Sequence, residues 1–235
     1  MQPRTDSPPA SRAPLVERVT AALGAFPLAA YMLLHVVEMW PALDGRAHFL
    51  ARLRETASPT WLAVKAALVL VPLVVHGGLG LRSAFRRRAL PAPGSLPAYA
   101  SPGLRTLQAV TGVLTAGYLG VHLAELTVPV WRGGSPDQLY ETLSLRAGTP
   151  LSIVLVSLGL AAVCFHLGQG VPAALVTLGV VRRDGQLLLA RVVAGVFAVA
   201  VWLALLDVAS HFAVGRALFG EHTASQPMGD TQPED

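Results

Sequence analysis

The sequence has little of what an ordinary soluble domain contains. Charged residues make up only 14% of its 235 positions, aromatic residues 6%, and Cys164 is the single cysteine. One cysteine excludes a disulfide within the chain. The low charge, together with 53% hydrophobic residues and a mean hydropathy of +0.53, excludes a soluble globular domain and is typical of an integral membrane protein.

Lysine is almost missing as well. Lys65 is the only lysine among 18 basic residues, so the other seventeen are arginines, and the formal net charge is +4. Most of the arginines lie between apolar runs and do not form a phosphate-binding stripe, so we expect no nucleic-acid partner and interpret them as topology signals. Lys65 lies just inside the second apolar run, where its ammonium is predicted to extend to the membrane surface.

Five apolar segments are each near the ~20 residues that cross a bilayer as a helix. The predicted fold is therefore all-α, a bundle of five transmembrane helices within residues 18–219. The N-terminal residues 1–17 are rich in Pro, Ser and Arg and are predicted to be a disordered tail, and residues 220–235 form a polar C-terminal tail. The predicted spans are 18–40, 61–85, 104–126, 150–180 and 191–213.

The charges of the connecting segments predict the orientation. The N-terminal tail and the second and fourth loops are strongly basic, with Arg86–Arg88 and Arg182–Arg183 as their densest clusters. The third loop offsets its arginines with Asp137 and Glu141, and the C-terminal tail is acidic. Because Arg and Lys stay preferentially on the cytoplasmic side, the N-terminus is predicted to be cytoplasmic.

Four histidines lie within the predicted spans, and an ionisable residue in lipid is costly enough to indicate a functional site. At ~1.5 Å rise per residue, His35 and His122 each lie roughly 25 Å from the cytoplasmic start of their helices, toward the outer face. The second and fourth spans run the other way, so His76 and His166 lie toward the inner face. The four side chains thus form two pairs at two depths, His35 with His122 and His76 with His166.

Two pairs of imidazoles across a bundle predict two bound haems. Neutral imidazole is a good iron ligand, and glycines near these histidines, such as Gly77, Gly112 and Gly168, leave room for a flat macrocycle. The chain has no CxxCH motif, which excludes a covalently attached c-type haem. The candidate donors to the propionates are Arg18, Arg82, Arg105, Arg191, Gln108 and Thr111.

Other interpretations of the same residues stay open. A transmembrane histidine can simply form a hydrogen bond across helices, and glycine often serves only close helix packing. A zinc or copper site is less favoured, because the histidines lie at two depths and no Cys or carboxylate joins them in one cluster.

Short motifs around the histidines resemble those of a known family. They are Gln108-Ala109-Val110-Thr111-Gly112 leading to Gly120-Val121-His122-Leu123, Leu23-Gly24 with Pro27 leading to His35, Val75-His76-Gly77, and Phe165-His166 followed by Gly170, Thr177 and Gly179. In this order over five spans, the chain resembles the dihaem cytochrome b membrane-anchor subunit of succinate dehydrogenases and fumarate reductases, the succinate:quinone oxidoreductase family.

The resemblance implies a function and partners. It assigns His76 and His166 to the proximal haem iron and His35 and His122 to the distal haem iron. It implies an iron–sulfur subunit and a flavoprotein subunit docked on the cytoplasmic side, with the basic loops forming part of the docking face. The chain would then be a non-flavin subunit of the enzyme, not catalytic alone toward succinate or fumarate. The resemblance also implies a prokaryotic cell (inner) membrane and admits a dimer of the whole complex.

The same resemblance implies a quinone substrate, typically menaquinone, near the distal haem. Quinone chemistry needs groups that handle protons, for which Glu38 and Asp207 are the candidates near the outer face. Some fumarate reductases have a glutamate two residues before the fourth-span histidine, where this chain has Cys164, so a proton route of that kind is in doubt. The alternative functions are a dihaem subunit of a formate dehydrogenase or hydrogenase, and a transporter with a histidine proton or metal relay.

Overall fold

The computed structural model describes residues 15–85 and 101–219. Residues 1–14 of the predicted tail 1–17, the predicted tail 220–235 and the basic cluster Arg86–Arg88 lie outside this part of the chain, and residues 15–17 belong to the first helix. All regular secondary structure in the described part is helical. Its α-helices are α1 (Leu15–Met39), α2 (Arg46–Glu55), α3 (Pro59–Pro72), α4 (Gly78–Phe85), α5 (Pro102–His122), α6 (Val128–Trp131), α7 (Pro136–Ala147), α8 (Pro150–Thr177) and α9 (Asp184–Val214).

Five helical segments are long and apolar enough to cross a membrane, which confirms the predicted number of spans. The second span joins α3 to α4, and the first includes the 3₁₀ turn Trp40–Asp44 that follows α1. The segments are Leu15–Asp44, Pro59–Arg82, Gly103–Leu126, Pro150–Thr177 and Asp184–Val214. The chain is therefore an all-α protein with the character of a multi-pass membrane protein.

Serine or threonine followed by proline begins three of these spans. The side chains of Ser58, Ser101 and Thr149 each accept a hydrogen bond from a backbone amide in the first turn, with proline at the next position. Such a cap satisfies a backbone donor, and proline loses no hydrogen bond at this position because its missing N–H has no helical partner there. The caps therefore fix these helix starts within two residues of the predicted bounds.

A π-helical turn interrupts the second and third spans. The turn in the second span covers Leu73–Gly77 and includes His76. The turn in the third span covers Leu123–Thr127 and directly follows His122. A π-turn widens the helix by one residue and is frequently found at functional sites. Apolar periodicity does not reveal these turns, so the sequence analysis missed them.

The four spans that carry the histidines form a ring. Going around it, α1 packs against α3, α4 packs against α5, α5 packs against α8, and α8 packs against α1. The backbones on the two diagonals, α1 with α5 and the second span with α8, stay apart along most of their described length. The ring therefore has an interior that side chains, and not helix backbones, must fill.

The fifth span, α9, lies outside this ring. It forms the most extensive interface of the bundle with α8 and a smaller one with α1. Met32 of α1, Leu160 and Cys164 of α8, and Val201 and Leu205 of α9 belong to one buried cluster at this interface. Cys164 is buried in this cluster, where it packs as a small apolar residue.

A cap closes the end of the bundle where α1 ends, and the sequence analysis did not predict its two short helices. Here α2 and α7 pack against each other and α7 packs against α9. Phe49 is completely buried, with Tyr140 and Phe212 at ring-centroid distances of 5.7 and 5.5 Å. At the surface, Asp137 of α7 bridges two arginines of α2.

Truncating the centre of the cap should destabilise it. We expect Phe49→Ala to lower the free energy of unfolding by about 3–5 kcal/mol, because it leaves a cavity beneath α2 and α7. Leu145→Ala in α7 is the matched control, since Leu145 is 78% exposed. It should change stability by no more than about 0.5 kcal/mol. Thermal unfolding in detergent measures both, and equal losses would contradict the packing described.

Candidate functional site

The first histidine pair spans one diagonal of the ring. His35 on α1 and His122 on α5 have ring centroids 5.9 Å apart, with their planes perpendicular. The Tyr31 ring stacks on His35 at 5.6 Å, and the Tyr118 ring lies 5.8 Å from His122. Each tyrosine precedes its histidine by one helical turn, so each imidazole is held against an aromatic face of its own helix.

The second pair spans the other diagonal. His76 in the second span and His166 on α8 have ring centroids 6.2 Å apart. Nδ1 of His76 lies 2.9 Å from the backbone oxygen of Thr20, and Nδ1 of His166 lies 3.1 Å from that of Gln108. A carbonyl only accepts, so each Nδ1 donates and each Nε2 keeps its lone pair. Metal-binding histidines are usually oriented by hydrogen bonds of this kind.

Gln108 and Thr111 both lie beside His166. The Gln108 amide donates to the backbone oxygen of His166 at 3.0 Å, and the Thr111 hydroxyl is 3.4 Å from its Nδ1. Both polar side chains at the start of α5 thus position the His166 segment. Their predicted role as propionate donors stays a prediction.

Two glycines let the helices approach these imidazoles closely. A Cβ on Gly24 of α1 would lie only 2.2 Å from Nδ1 of His76, and one on Gly112 of α5 would lie 2.9 Å from Cε1 of His166. Neither space admits a methyl group without movement. Both glycines are therefore required by the positions of the rings, whereas Gly77, which the sequence analysis also named, meets no close neighbour.

The donor set fits haem. Two imidazoles that bind one metal from opposite sides each have a metal–nitrogen distance of about 2.0–2.1 Å. Adding the distance from the nitrogen to the centroid of each ring gives a centroid separation of about 6 Å. The observed 5.9 and 6.2 Å agree with this value. Oε1 of Gln108 and Oγ1 of Thr115, both on α5, are buried without a hydrogen-bond partner, as polar atoms beside an added polar group would be.

Within the described residues, no group of three or more His, Cys, Asp or Glu side chains could hold a metal ion. Each histidine pair therefore offers two protein ligands. Two axial ligands suit a metal whose remaining positions are filled by a macrocycle.

The predicted arginines lie at one end of the bundle. Arg18 is in the first turn of α1, Arg82 in α4, Arg105 in the first turn of α5 and Arg191 in α9. Because neighbouring spans run in opposite directions, this is the end nearer to His76 and His166. The role of these arginines with propionates also stays a prediction.

The prediction for Lys65 was wrong. Its ammonium is not exposed at the protein surface but lies 3.1 Å from Oε1 of Glu38, and the two side chains are only 17% and 5% exposed. Glu38 on α1 needs a partner because an unpaired buried carboxylate is very costly. Lys65 on α3 supplies the charge, and the pair joins the first and second spans.

Asp207 and Glu125, the two other acidic residues near the end of the bundle where α1 ends, have different environments. Asp207 is 2% exposed, and its Oδ1 accepts hydrogen bonds from the backbone amides of Leu218 and Phe219, which follow the end of α9. The structure thus gives Asp207 a role in fixing the chain after α9. Glu125 forms an ion pair with Arg146 at the surface.

A repeat in the sequence could have revealed more of the site. Tyr31, His35 and Glu38 have the same spacing as Tyr118, His122 and Glu125, so both segments read Tyr-x₃-His-x₂-Glu. The two histidines and Glu38 were predicted as site residues, whereas neither tyrosine was. No sequence signal points to the Thr20 carbonyl.

Comparisons with known proteins add no relative. Protein-family models, curated proteins and solved structures were all searched, and none matches the chain. The geometry of the two histidine pairs therefore stands on its own.

The close approach at Gly24 can be tested directly. We expect Gly24→Ala to lower the thermal unfolding temperature, because its methyl group displaces the His76 ring from the Thr20 carbonyl. Gly120→Ala on α5 is the matched control, since a Cβ there meets nothing within 4 Å. That change should be neutral or slightly stabilising, because alanine is the better helix former. A drop in the control equal to that of Gly24→Ala would contradict the packing.

Proposed function

We propose that the chain is the membrane-anchor and electron-transfer subunit of a succinate:quinone oxidoreductase, a succinate dehydrogenase or fumarate reductase. The observation that carries the proposal is the arrangement of His35 with His122 and His76 with His166. Each pair crosses a diagonal of one four-helix ring, at a ring separation at which both imidazoles could hold one haem iron. In this proposal each pair holds one haem b, which when bound supplies reversible one-electron redox chemistry.

The other residues of the site orient and enclose the ligands. The carbonyls of Thr20 and Gln108 hold the Nδ1 atoms of His76 and His166, which leaves Nε2 for iron. Tyr31 and Tyr118 keep the rings of His35 and His122 in place. The surrounding apolar spans exclude water, which stabilises neutral imidazoles as ligands.

The orientation and the partners belong to the same proposal. With the N-terminus in the cytoplasm, the His76–His166 pair lies toward the inside and the His35–His122 pair toward the outside of a prokaryotic cell membrane. Exposed Arg182 and Arg183, between α8 and α9, then face the cytoplasm, where an iron–sulfur subunit and its flavoprotein would dock. The positive-inside distribution of arginine supports this direction.

For the quinone, presumed from the resemblance to be menaquinone, Glu38 is the better proton-handling candidate. It follows His35 by three residues on the same face of α1 and is held within the bundle by Lys65. The Asp207 carboxylate is instead engaged by two backbone amides. The proposal therefore assigns proton handling to Glu38 rather than to Asp207.

Haem content tests the proposal. Membranes containing the chain should show a b-type spectrum, reduced minus oxidised, with two haems per chain. His122→Ala should remove one haem and His76→Ala the other, because a single imidazole holds a macrocycle weakly. Haem extracted from the purified complex and quantified per chain measures the loss.

His48→Ala is the control for these variants. His48 is exposed on α2, and its ring contacts only the Asp44 carbonyl of its own segment among the described hydrogen bonds. Both haems should remain in that variant. A chain without b-type haem would sink the proposal. Co-purification with a formate dehydrogenase or hydrogenase, and not with a flavoprotein and an iron–sulfur subunit, would replace it with the alternative anchor.

A further inference from the structure

The two Tyr-x₃-His-x₂-Glu segments have the same residues but different electrostatic environments. Glu125, next to His122, pairs with Arg146, and the two side chains are 41% and 53% exposed. Glu38, next to His35, pairs with Lys65 where the two side chains are 5% and 17% exposed. One segment thus carries a surface ion pair and the other a buried one.

Burial decides how far each charge acts. Water and salt screen an exposed pair, and charges separated by more than a Debye length of about 10 Å at 0.1 M ionic strength hardly interact. A buried pair inside an apolar bundle is screened much less. Glu38 lies one turn from His35 on the same face of α1 and inside the bundle, whereas Glu125 is exposed, so water screens the charge of Glu125 more strongly.

Lys65 is the only lysine of the chain and comes from a different span than His35. Its ammonium approaches Glu38 from α3 at 3.1 Å. The two charges therefore lie close together, but only Glu38 is on the same helix as His35. Their fields at His35 oppose each other, and removing either charge exposes the field of the other.

We propose that the buried Glu38–Lys65 ion pair sets the reduction potential of the haem held by His35 and His122. The inference rests on the proposed function, since it needs that haem to be bound. The Glu38 carboxylate stabilises the ferric form, which carries one more positive charge, and so lowers the potential. The Lys65 ammonium disfavours the ferric form and raises it.

A redox titration of the purified complex, followed by the haem spectrum, tests the two signs separately. Glu38→Gln should raise the potential of one haem, and Lys65→Met should lower the potential of the same haem. With a charge about 10 Å away and an effective dielectric constant near 20, each shift is on the order of tenfold in the reduced-to-oxidised ratio. For one electron, tenfold corresponds to about 59 mV.

The affected haem must be the one that His122→Ala removes, and the other should keep its potential. The double variant, Glu38→Gln with Lys65→Met, should have a potential between those of the two single variants, because it removes both opposing charges. Lys65→Arg keeps the positive charge and should also stay close to the parent. If Lys65→Met fails to assemble, Glu38→Gln and Lys65→Arg still decide the result.

Glu125→Gln is the matched control on α5. It removes the same charge at the same sequence spacing from a histidine of the same pair, but from an exposed ion pair in a π-helical turn, so its shift should be smaller than that of Glu38→Gln. Equal shifts for Glu38→Gln and Glu125→Gln, or no shift for Glu38→Gln and Lys65→Met, would overturn the inference while both haems remain bound. Loss of haem from the parent chain would instead overturn the proposed function.

Discussion

The structure depends on how four imidazoles are accommodated inside an apolar bundle. Polar groups without partners are costly in such surroundings, and each imidazole has a partner on another span of the ring. His76 and His166 each donate to a backbone carbonyl of a neighbouring span, and His35 and His122 meet each other between two tyrosines. This need explains why the diagonal backbones stay apart, because the interior between them belongs to side chains. It also explains the glycines at positions 24 and 112, where a methyl group would occupy the space of a ring.

The ring and its surroundings divide the work of the fold. Four spans carry the histidines, while α9 stabilises the ring from outside through its long interface with α8. The cap of α2 and α7 closes the end near the His35–His122 pair with a core built around Phe49. The ion pairs of the cap are exposed and contribute little to stability. The Glu38–Lys65 pair is instead buried among the spans. If the proposed haems are bound, the two histidine pairs have different electrostatic environments although they share one bundle.

Depth along the helices was enough to predict which histidines meet. Four positions on antiparallel spans of known rise have only one consistent pairing by depth, and the rings of His35 and His122, and of His76 and His166, do lie together. Lys65 shows where such reasoning fails. A lysine near a helix end normally extends to the surface, and only a carboxylate on another span, Glu38, changes the outcome. The tyrosines were missed for a simpler reason, because an aromatic residue in an apolar run is expected anyway.

The sequence by itself determined the number of spans, the approximate bounds of all but the fifth, which begins at Asp184 and not at residue 191, and the position of each histidine along its helix. Hydrophobic length, Ser-Pro and Thr-Pro caps and helical rise are local properties that need no knowledge of neighbouring helices. Only the tertiary structure decided which helices form the ring, that α9 lies outside it, and which polar atoms meet between spans. These features depend on side chains far apart in sequence, such as Thr20 with His76 and Glu38 with Lys65. Their pairing lowers the free energy only after the helices have packed, so no local pattern encodes it.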